Sequence, residues 1–67
     1  MNDLMKQGIV KFFNNEKGFG FITITEFNRD IFVHVTGLID EISQNDQVVF
    51  DVEDSRKGLR AVNVKLI

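Results

Sequence analysis

The 67 residues suffice for one domain, spanning 1–67, with a single small hydrophobic core. The sequence has no cysteine, no zinc-like Cys/His spacing, no apolar secretory signal and no run near the ~20 apolar residues of a membrane span. These features exclude disulfides and favour a cytoplasmic location. The net charge of −2 argues against a nucleic-acid partner, but the segment from Asp40 to Asp54 carries six of the ten acids and no base.

Five short segments rich in β-forming residues recur along the chain at a spacing of about ten residues. In chain order they predict strands over residues 6–14, 18–25, 30–35, 46–54 and 59–67. Turns containing Asn and Gly follow the first strand, a single helical turn is predicted at 35–38, and the connection over 39–47 is polar. The sequence therefore predicts an all-β domain of five antiparallel strands, which at this size closes into a small barrel to protect its edges.

The second and third strands alternate aliphatic with aromatic residues, because successive side chains of a strand point to opposite faces. One face contains Ile22, Ile24, Ile31, Val33 and Val35, and the other contains Phe19, Phe21, Thr23, Asp30, Phe32 and His34. Since the aliphatic residues already supply a core, the rings are expected outside the barrel as an exposed aromatic surface. The alternative is that the faces are reversed and the phenylalanines form the core.

The remaining strands are less completely specified by their patterns. Phe12 and Phe13 are adjacent, so one faces inward and the other outward, but periodicity does not decide between them. In the fourth strand one face is shared by Val48, Phe50 and Val52. In the fifth strand the residues predicted to face inward are Val62, Val64 and Leu66.

His34 is the single histidine and is the candidate for catalysis that the sequence offers. It is either a half-exposed ring at the edge of the aromatic surface or a general base with Asp30 nearby on the same face. No serine or cysteine nucleophile is arranged around it, and a chain this short has no room for a deep pocket. The segment Lys17–Gly20 lacks Walker spacing and precedes a strand. No catalytic residue, cofactor or metal is therefore predicted.

Three segments resemble the bacterial cold-shock protein family. Gly8–Ile22 resembles the start of its members and contains a ribonucleoprotein-1-type element at Lys17–Ile22. Ile31–His34 resembles the ribonucleoprotein-2-type element of the family, and Gly58–Val64 resembles its closing strand. Because the resemblance runs over nearly the whole chain, the protein is identified as a single cold-shock domain.

This resemblance implies a five-stranded antiparallel barrel of the oligonucleotide-binding type that binds single-stranded RNA and DNA. It implies an RNA chaperone that works without ATP as a monomer, with roles in transcription or translation in some members, and no membrane or small-molecule ligand. The implied stacking residues are Phe12, Phe19, Phe21, Phe32 and His34. The implied polar and charged contacts are Lys11, Asn14, Lys17, Asp30, Lys57 and Arg60.

The sequence departs from the family pattern in four places. Phe12 stands where the family usually has tryptophan, Val35 where an aromatic residue is common, and Leu59 where proline is usual. The connection from His34 to Val48 is several residues shorter and lacks an aromatic residue. We therefore expect fewer stacking subsites and a weaker footprint, with the acidic segment repelling the strand at one end.

A protein-interaction module on the same barrel is the alternative function. The acidic composition and the missing rings favour it, since an exposed apolar patch also serves as a protein interface. It predicts no single-strand binding at low salt and a partner or dimer contact that protects Phe19 and Phe21. The first hypothesis instead predicts binding of single strands in preference to duplex, with a shallow dependence on salt.

Overall fold

Five strands close into a barrel in the computed structural model, which describes residues 5–56 and 58–67. The strands are β1 (Lys6–Asn14), β2 (Phe19–Ile24), β3 (Arg29–His34), β4 (Gln47–Ser55) and β5 (Gly58–Leu66). Their order around the barrel is β1-β2-β3-β5-β4, and β4 pairs back to β1. The predicted all-β, five-stranded barrel is confirmed, and each strand end lies within one residue of the predicted position.

The one helical element in the described part of the chain is a 3-10 turn at Val35–Gly37, where a single helical turn was expected. The cap of this turn is His34, which ends β3. No helix among residues 5–56 and 58–67 is long and apolar enough to cross a membrane.

One strand pairing corrects the prediction of a purely antiparallel barrel. Four of the five neighbouring pairs are antiparallel, but β3 and β5 run parallel where they meet. The reason is parity: strand direction cannot alternate all the way around a closed ring with an odd number of strands. At least one neighbouring pair must be parallel, and here it joins the third strand to the last.

A β-bulge in β1 decides how the adjacent rings of that strand are oriented. Val10 is opposite Ile22 in β2 and Phe12 is opposite Phe21, so β1 contains one extra residue, Lys11, across this step. Lys11 and Phe12 are both exposed, whereas Val10 is fully buried and Phe13 packs against the core. Phe12 is therefore the outward ring of the pair.

A second irregularity, in β5, makes part of the predicted inward face wrong. Around Asn63, whose φ of 54° is left-handed, β5 advances three residues while β4 advances two. The bulge places both Ala61 and Val64 in the core. Val62 is only half-buried, and Leu66 is 44% exposed although it was expected inside.

The core consists almost entirely of aliphatic side chains. Its buried members are Val10, Ile22, Ile31, Val33, Ile42, Val48, Phe50, Ala61 and Val64. All seven phenylalanines lie in the described residues, and of these only Phe50 is fully buried. The aliphatic faces of β2 and β3 thus supply the core, and the opposite faces carry the rings. Val52 follows Phe50 in the pattern but is 37% exposed, because β4 there extends beyond its ladder with β1.

Gly20 permits the close approach of β1 and β2 beneath the rings. A Cβ on this residue would lie 2.7 Å from the Cα of Phe13, which no real pair of atoms tolerates without a backbone shift. Glycine within a strand often marks such an approach. The absence of a side chain at Gly20 lets the ring-bearing strands pair at normal distance.

Candidate nucleic-acid interface

Five rings lie together on the outer face of β1, β2 and β3. They are Phe12, Phe19, Phe21, Phe32 and His34, and we refer to them as the ring cluster. Cross-strand pairing positions them, since Phe21 is opposite both Phe12 in β1 and Phe32 in β3, and Phe19 is opposite His34. All five aromatic positions predicted from the sequence are therefore neighbours in the fold.

Phe32 is the centre of the ring cluster. Its centroid lies 6.1 Å from that of Phe19 with the rings at 22°, 5.9 Å from Phe21 at 74°, and 6.5 Å from His34 at 36°. Phe12 completes the cluster at 5.7 Å from Phe21 and 6.3 Å from Phe19. These separations are typical of interacting aromatic pairs, so each ring holds its neighbours in orientation.

The rings of the cluster are partly exposed and lie outside the core. Phe12 is 39% exposed, and the other four are half-buried. The rings pack against neighbouring strands and are already ordered in the free protein. Binding a ligand on them therefore costs little conformational entropy. The cluster is thus a contiguous aromatic surface of fixed shape.

The His34 ring is tied to the turn that follows it. Its Nδ1 accepts the backbone N–H of Thr36 at 3.2 Å and lies 3.0 Å from the Thr36 hydroxyl oxygen. Asp30, the partner that a general base would need, is four residues back along β3, or roughly 13 Å at the rise of a strand. His34 therefore caps the 3-10 turn and contributes its ring to the cluster. The Asp30 carboxylate is too far from the imidazole to assist it in acid–base chemistry.

Lys11 and Asp30, both predicted to contact nucleic acid, bind each other across β1, β2 and β3. The Lys11 ammonium donates to Oδ2 of Asp30 at 2.8 Å, and the Thr23 hydroxyl donates to Oδ1 at 2.8 Å. The hydrogen bond from Lys11, followed by that from Thr23, lowers the pKa of Asp30 below its ordinary value of 3.8. A strand that uses Lys11 must compete with this carboxylate.

Replacing Asp30 with asparagine should flatten the dependence of stability on pH at the acid end. A carboxyl whose pKa is lowered by folding stabilises the fold above its unfolded pKa, and this contribution is lost as pH falls below 3.8 toward the folded pKa. Urea unfolding of the wild type should therefore show a fall in the free energy of unfolding over that range that Asp30→Asn shows less. Glu16→Gln, at an exposed carboxylate in a turn, is the matched control. Equal slopes for all three proteins would contradict the assignment.

Asn14 and Lys17 belong to the tight turn between β1 and β2. The Asn14 side-chain oxygen accepts the backbone N–H of Lys17 at 2.9 Å, and the Asn14 carbonyl accepts the N–H of Gly18 at 2.8 Å. Gly18 has a φ of 76°, the left-handed conformation that glycine adopts without strain. Asn14 therefore shapes the turn with the oxygen that was predicted to contact a base, while the Lys17 side chain is exposed near the start of β2.

The β4–β5 hairpin forms the second wall of a groove beside the rings. Arg60 lies opposite Phe32 in the parallel β3–β5 ladder, with its guanidinium 3.3 Å from the Glu53 carboxylate. Lys57, also predicted as a contact, lies outside the described residues. The groove, which we call the hairpin groove, has a volume of about 750 Å³ and is lined by Phe21, Phe32, His34, Thr36, Ser55, Arg56, Leu59 and Arg60.

Several residues of this groove were not selected from the sequence. Thr36, which follows His34 by two residues, lines it, and so do Ser55, Arg56 and Leu59, which in the sequence lie far from the aromatic motifs. What brings them to the rings is the pairing of β3 with β5, a contact between strands separated by about half the chain. The predicted contacts Lys57 and Arg60, which lie beside these residues in the sequence, were the one signal, and without the topology they could not be placed next to the rings.

The sequence matches a known domain model over almost its full length. The family described as 'Cold-shock' DNA-binding domain matches residues 6–67. The chain belongs to the cold-shock domain family. Members of this family are nucleic-acid-binding barrels of the oligonucleotide-binding type rather than enzymes.

The relatives of this cold-shock domain include whole proteins of similar length. It is 44% identical over 64 residues to the major cold shock protein of Micrococcus luteus, covering 90% of this chain and 96% of that protein. It is 46% identical over 61 residues to the cold shock-like protein CspJ of Salmonella typhimurium, covering 85% and 87%. The match to the major cold shock protein of Streptococcus pyogenes is 44% over 64 residues, covering 90% and 94%.

A solved structure shares the fold. The Drosophila Unr structure with domains CSD456 superposes with a TM-score of 0.79 at 32% identity over 94% of this chain. This chain spans only 26% of the length of that one. The superposition therefore concerns one barrel of a longer protein.

Proposed function

We propose that this cold-shock domain binds single-stranded RNA and DNA with little sequence preference by stacking unpaired bases on the ring cluster. The observation that carries the proposal is the ring cluster itself: five rings in mutual contact on the outer face of three adjacent strands, separate from an aliphatic core. None of these five rings belongs to the buried core. A contiguous group of them is typical of a binding site.

Stacking is expected to contribute more to affinity than phosphate contacts. A base stacked on an aromatic side chain is worth about 1–3 kcal/mol, and every base offers a π-face, so the interaction tolerates sequence. Two of the cations near the rings are paired in the free protein, Lys11 with Asp30 and Arg60 with Glu53. Together with a net charge of −2, these pairs predict a shallow dependence of affinity on salt.

An RNA chaperone activity follows from such binding without ATP. A protein that binds the single strand but not the paired form shifts the equilibrium toward the open strand by mass action, and it needs no other energy source. Opening RNA secondary structure in this way would also affect transcription or translation wherever a hairpin controls them. We propose that the protein acts as a monomer in the cytoplasm.

Two binding curves test this proposal. Fluorescence anisotropy with a labelled single-stranded RNA and with the matching duplex should show saturable binding of the single strand and much weaker binding of the duplex. A labelled RNA hairpin should open as protein is added in the absence of ATP. If no single strand binds at low salt while the ring cluster is protected by self-association or a protein partner, the protein-interaction alternative is correct.

Replacing Phe12 with tryptophan should strengthen single-strand binding. The larger ring offers more stacking surface at an exposed position, and we expect a gain of about two- to fivefold, a fraction of the value of one stacked base. The chain has no tryptophan or tyrosine, so the new indole is also a local fluorophore that bases should quench. Ile67→Trp, on an exposed side chain that does not line the hairpin groove, is the control for added surface. An unchanged affinity and no quenching for Phe12→Trp would remove this ring from the interface.

A further inference from the structure

A second groove leaves the ring cluster on the side of the β2–β3 turn. Its volume is about 630 Å³, and it shares Phe21, Phe32 and Leu59 with the hairpin groove. Its far end is formed by Phe27, Lys6 and Arg29. We call it the Phe27 groove. Phe27, Lys6 and Arg29 were not among the binding residues predicted from the sequence.

Phe27 is held outward by the structure of its turn. The turn is closed by a 2.7 Å hydrogen bond from the N–H of Asn28 to the carbonyl of Ile24, and Asn28 has a left-handed φ of 56°. The Lys6 ammonium lies 5.2 Å from the centroid of the Phe27 ring, within the range of a cation–π contact, and 3.8 Å from the Glu26 carboxylate. Even so, Phe27 remains 53% exposed.

The cations around this groove favour a polyanionic ligand, and its exposed ring favours one with flat groups that can stack. Lys6 and Arg29 are the cations that line it, and Asp30 is the one acid, already bound to Lys11. Arg29 is exposed and makes no ion pair within residues 5–56 and 58–67. The Phe27 groove thus combines an aromatic ring with nearby cations, as the ring cluster does. Phe21 and Phe32 belong to both, so the two surfaces are continuous.

We propose that the Phe27 groove extends the nucleic-acid interface, so that a single strand leaving Phe21 and Phe32 stacks a further base on Phe27 and places a phosphate near Arg29. The inference rests on the proposed function and adds to it a subsite that only longer strands reach. Phe27 is then a determinant of footprint length, and Arg29 provides the one cation of this subsite that is not already paired within the described chain.

Oligonucleotide length separates this subsite from the ring cluster. Anisotropy titrations with labelled oligo-dT of about four and about eight nucleotides, within the range of site sizes for one barrel, should be run on the wild type and on Phe27→Ala. The variant should bind the longer strand about fivefold or more weakly, the factor expected for one lost base stack, and the shorter strand as the wild type does. Ile39→Ala, another exposed apolar side chain, should change neither affinity.

Two further variants test the same subsite by independent readouts. The indole of Phe27→Trp should be quenched by the longer strand and not by the shorter one. Arg29→Gln should lower the salt slope by about one for the longer strand only, whereas Lys65→Gln, at an exposed lysine of β5, should leave it unchanged.

The outcomes distinguish the two proposals from each other. If the wild type binds neither strand, the proposed function itself fails. If the wild type binds both but Phe27→Ala loses no affinity for the longer strand, or loses equally for both lengths, the extended subsite is wrong. It is equally wrong if Phe27→Ala changes only the self-association of the protein in sedimentation, which would assign the groove to a second copy of the chain.

Discussion

Replacing Phe32 with alanine should weaken binding of a labelled single-stranded oligonucleotide by about five- to hundredfold. Stacking of one base is worth about 1–3 kcal/mol, and Phe32 in addition contacts three of the other four rings, so its loss also frees its neighbours. Fluorescence anisotropy at low salt measures the effect. No other single substitution in the ring cluster should cost as much affinity.

The leucine variant separates stacking from folding at this position. Phe32 is half-buried, and Phe32→Leu keeps most of its apolar volume while it removes the π-face. We expect Phe32→Leu to unfold in urea near the wild-type midpoint and to bind almost as weakly as Phe32→Ala. Wild-type affinity for the leucine variant would mean that Phe32 contributes shape rather than stacking.

Replacing Phe50 with alanine should have the largest effect on stability of any phenylalanine substitution. Phe50 is fully buried among aliphatic side chains, and truncation of such a residue costs about 3–5 kcal/mol. A domain of this size has a total stability of only about 3–10 kcal/mol, so Phe50→Ala should lose about a third of its stability or more at 25 °C. Urea unfolding followed by circular dichroism measures this directly.

Phe50→Leu, in the core, and Phe32→Leu, in the ring cluster, should have opposite effects on stability and on affinity. Phe50→Leu keeps an apolar side chain in the core, so it should fold with a lower urea midpoint and bind single strands as the wild type does. Phe32→Leu should unfold near the wild-type midpoint and bind single strands almost as weakly as Phe32→Ala. If Phe50→Leu lost affinity while it remained folded, the separation between a structural and a ring-bearing face would be wrong.

The arrangement of β2 and β3 could be predicted from the sequence because it depends only on period two. Ile22, Ile31 and Val33 were expected inside and are buried, and Phe21 and Phe32 were expected opposite them and are only half-buried. A strand alternates strictly, so a short segment with a clean pattern determines its own faces.

The bulges could not be predicted, because an extra residue in a strand changes the pattern without a characteristic residue type. In β1 it turns Lys11 and Phe12 to the same side, and in β5 it places Ala61 and Val64 in the core although they are three residues apart. Alternation fails at exactly such places. The error in β5 is a shift by one residue at the bulge, since Ala61 rather than Val62 is buried while Val64 faces the core as predicted.

Contacts between distant strands were also beyond the sequence. The pairing of Arg60 with Phe32 depends on the closure of the barrel, and the ion pair between Lys11 and Asp30 depends on the register of three strands at once. Each side chain was a candidate by itself. Because Lys11 and Asp30 neutralise each other in the free protein, we expect phosphate contacts to contribute less to affinity, relative to stacking, than the sequence predicted.

The most direct test of stacking on the ring cluster compares a labelled oligo-dT with an abasic oligonucleotide of the same length and phosphate number. Stacking predicts that the wild type binds the oligo-dT at least about fivefold more tightly at low salt, since each lost base stack removes about 1–3 kcal/mol. Phosphate contacts alone predict equal affinity for both. Equal affinity would contradict the central role of the ring cluster.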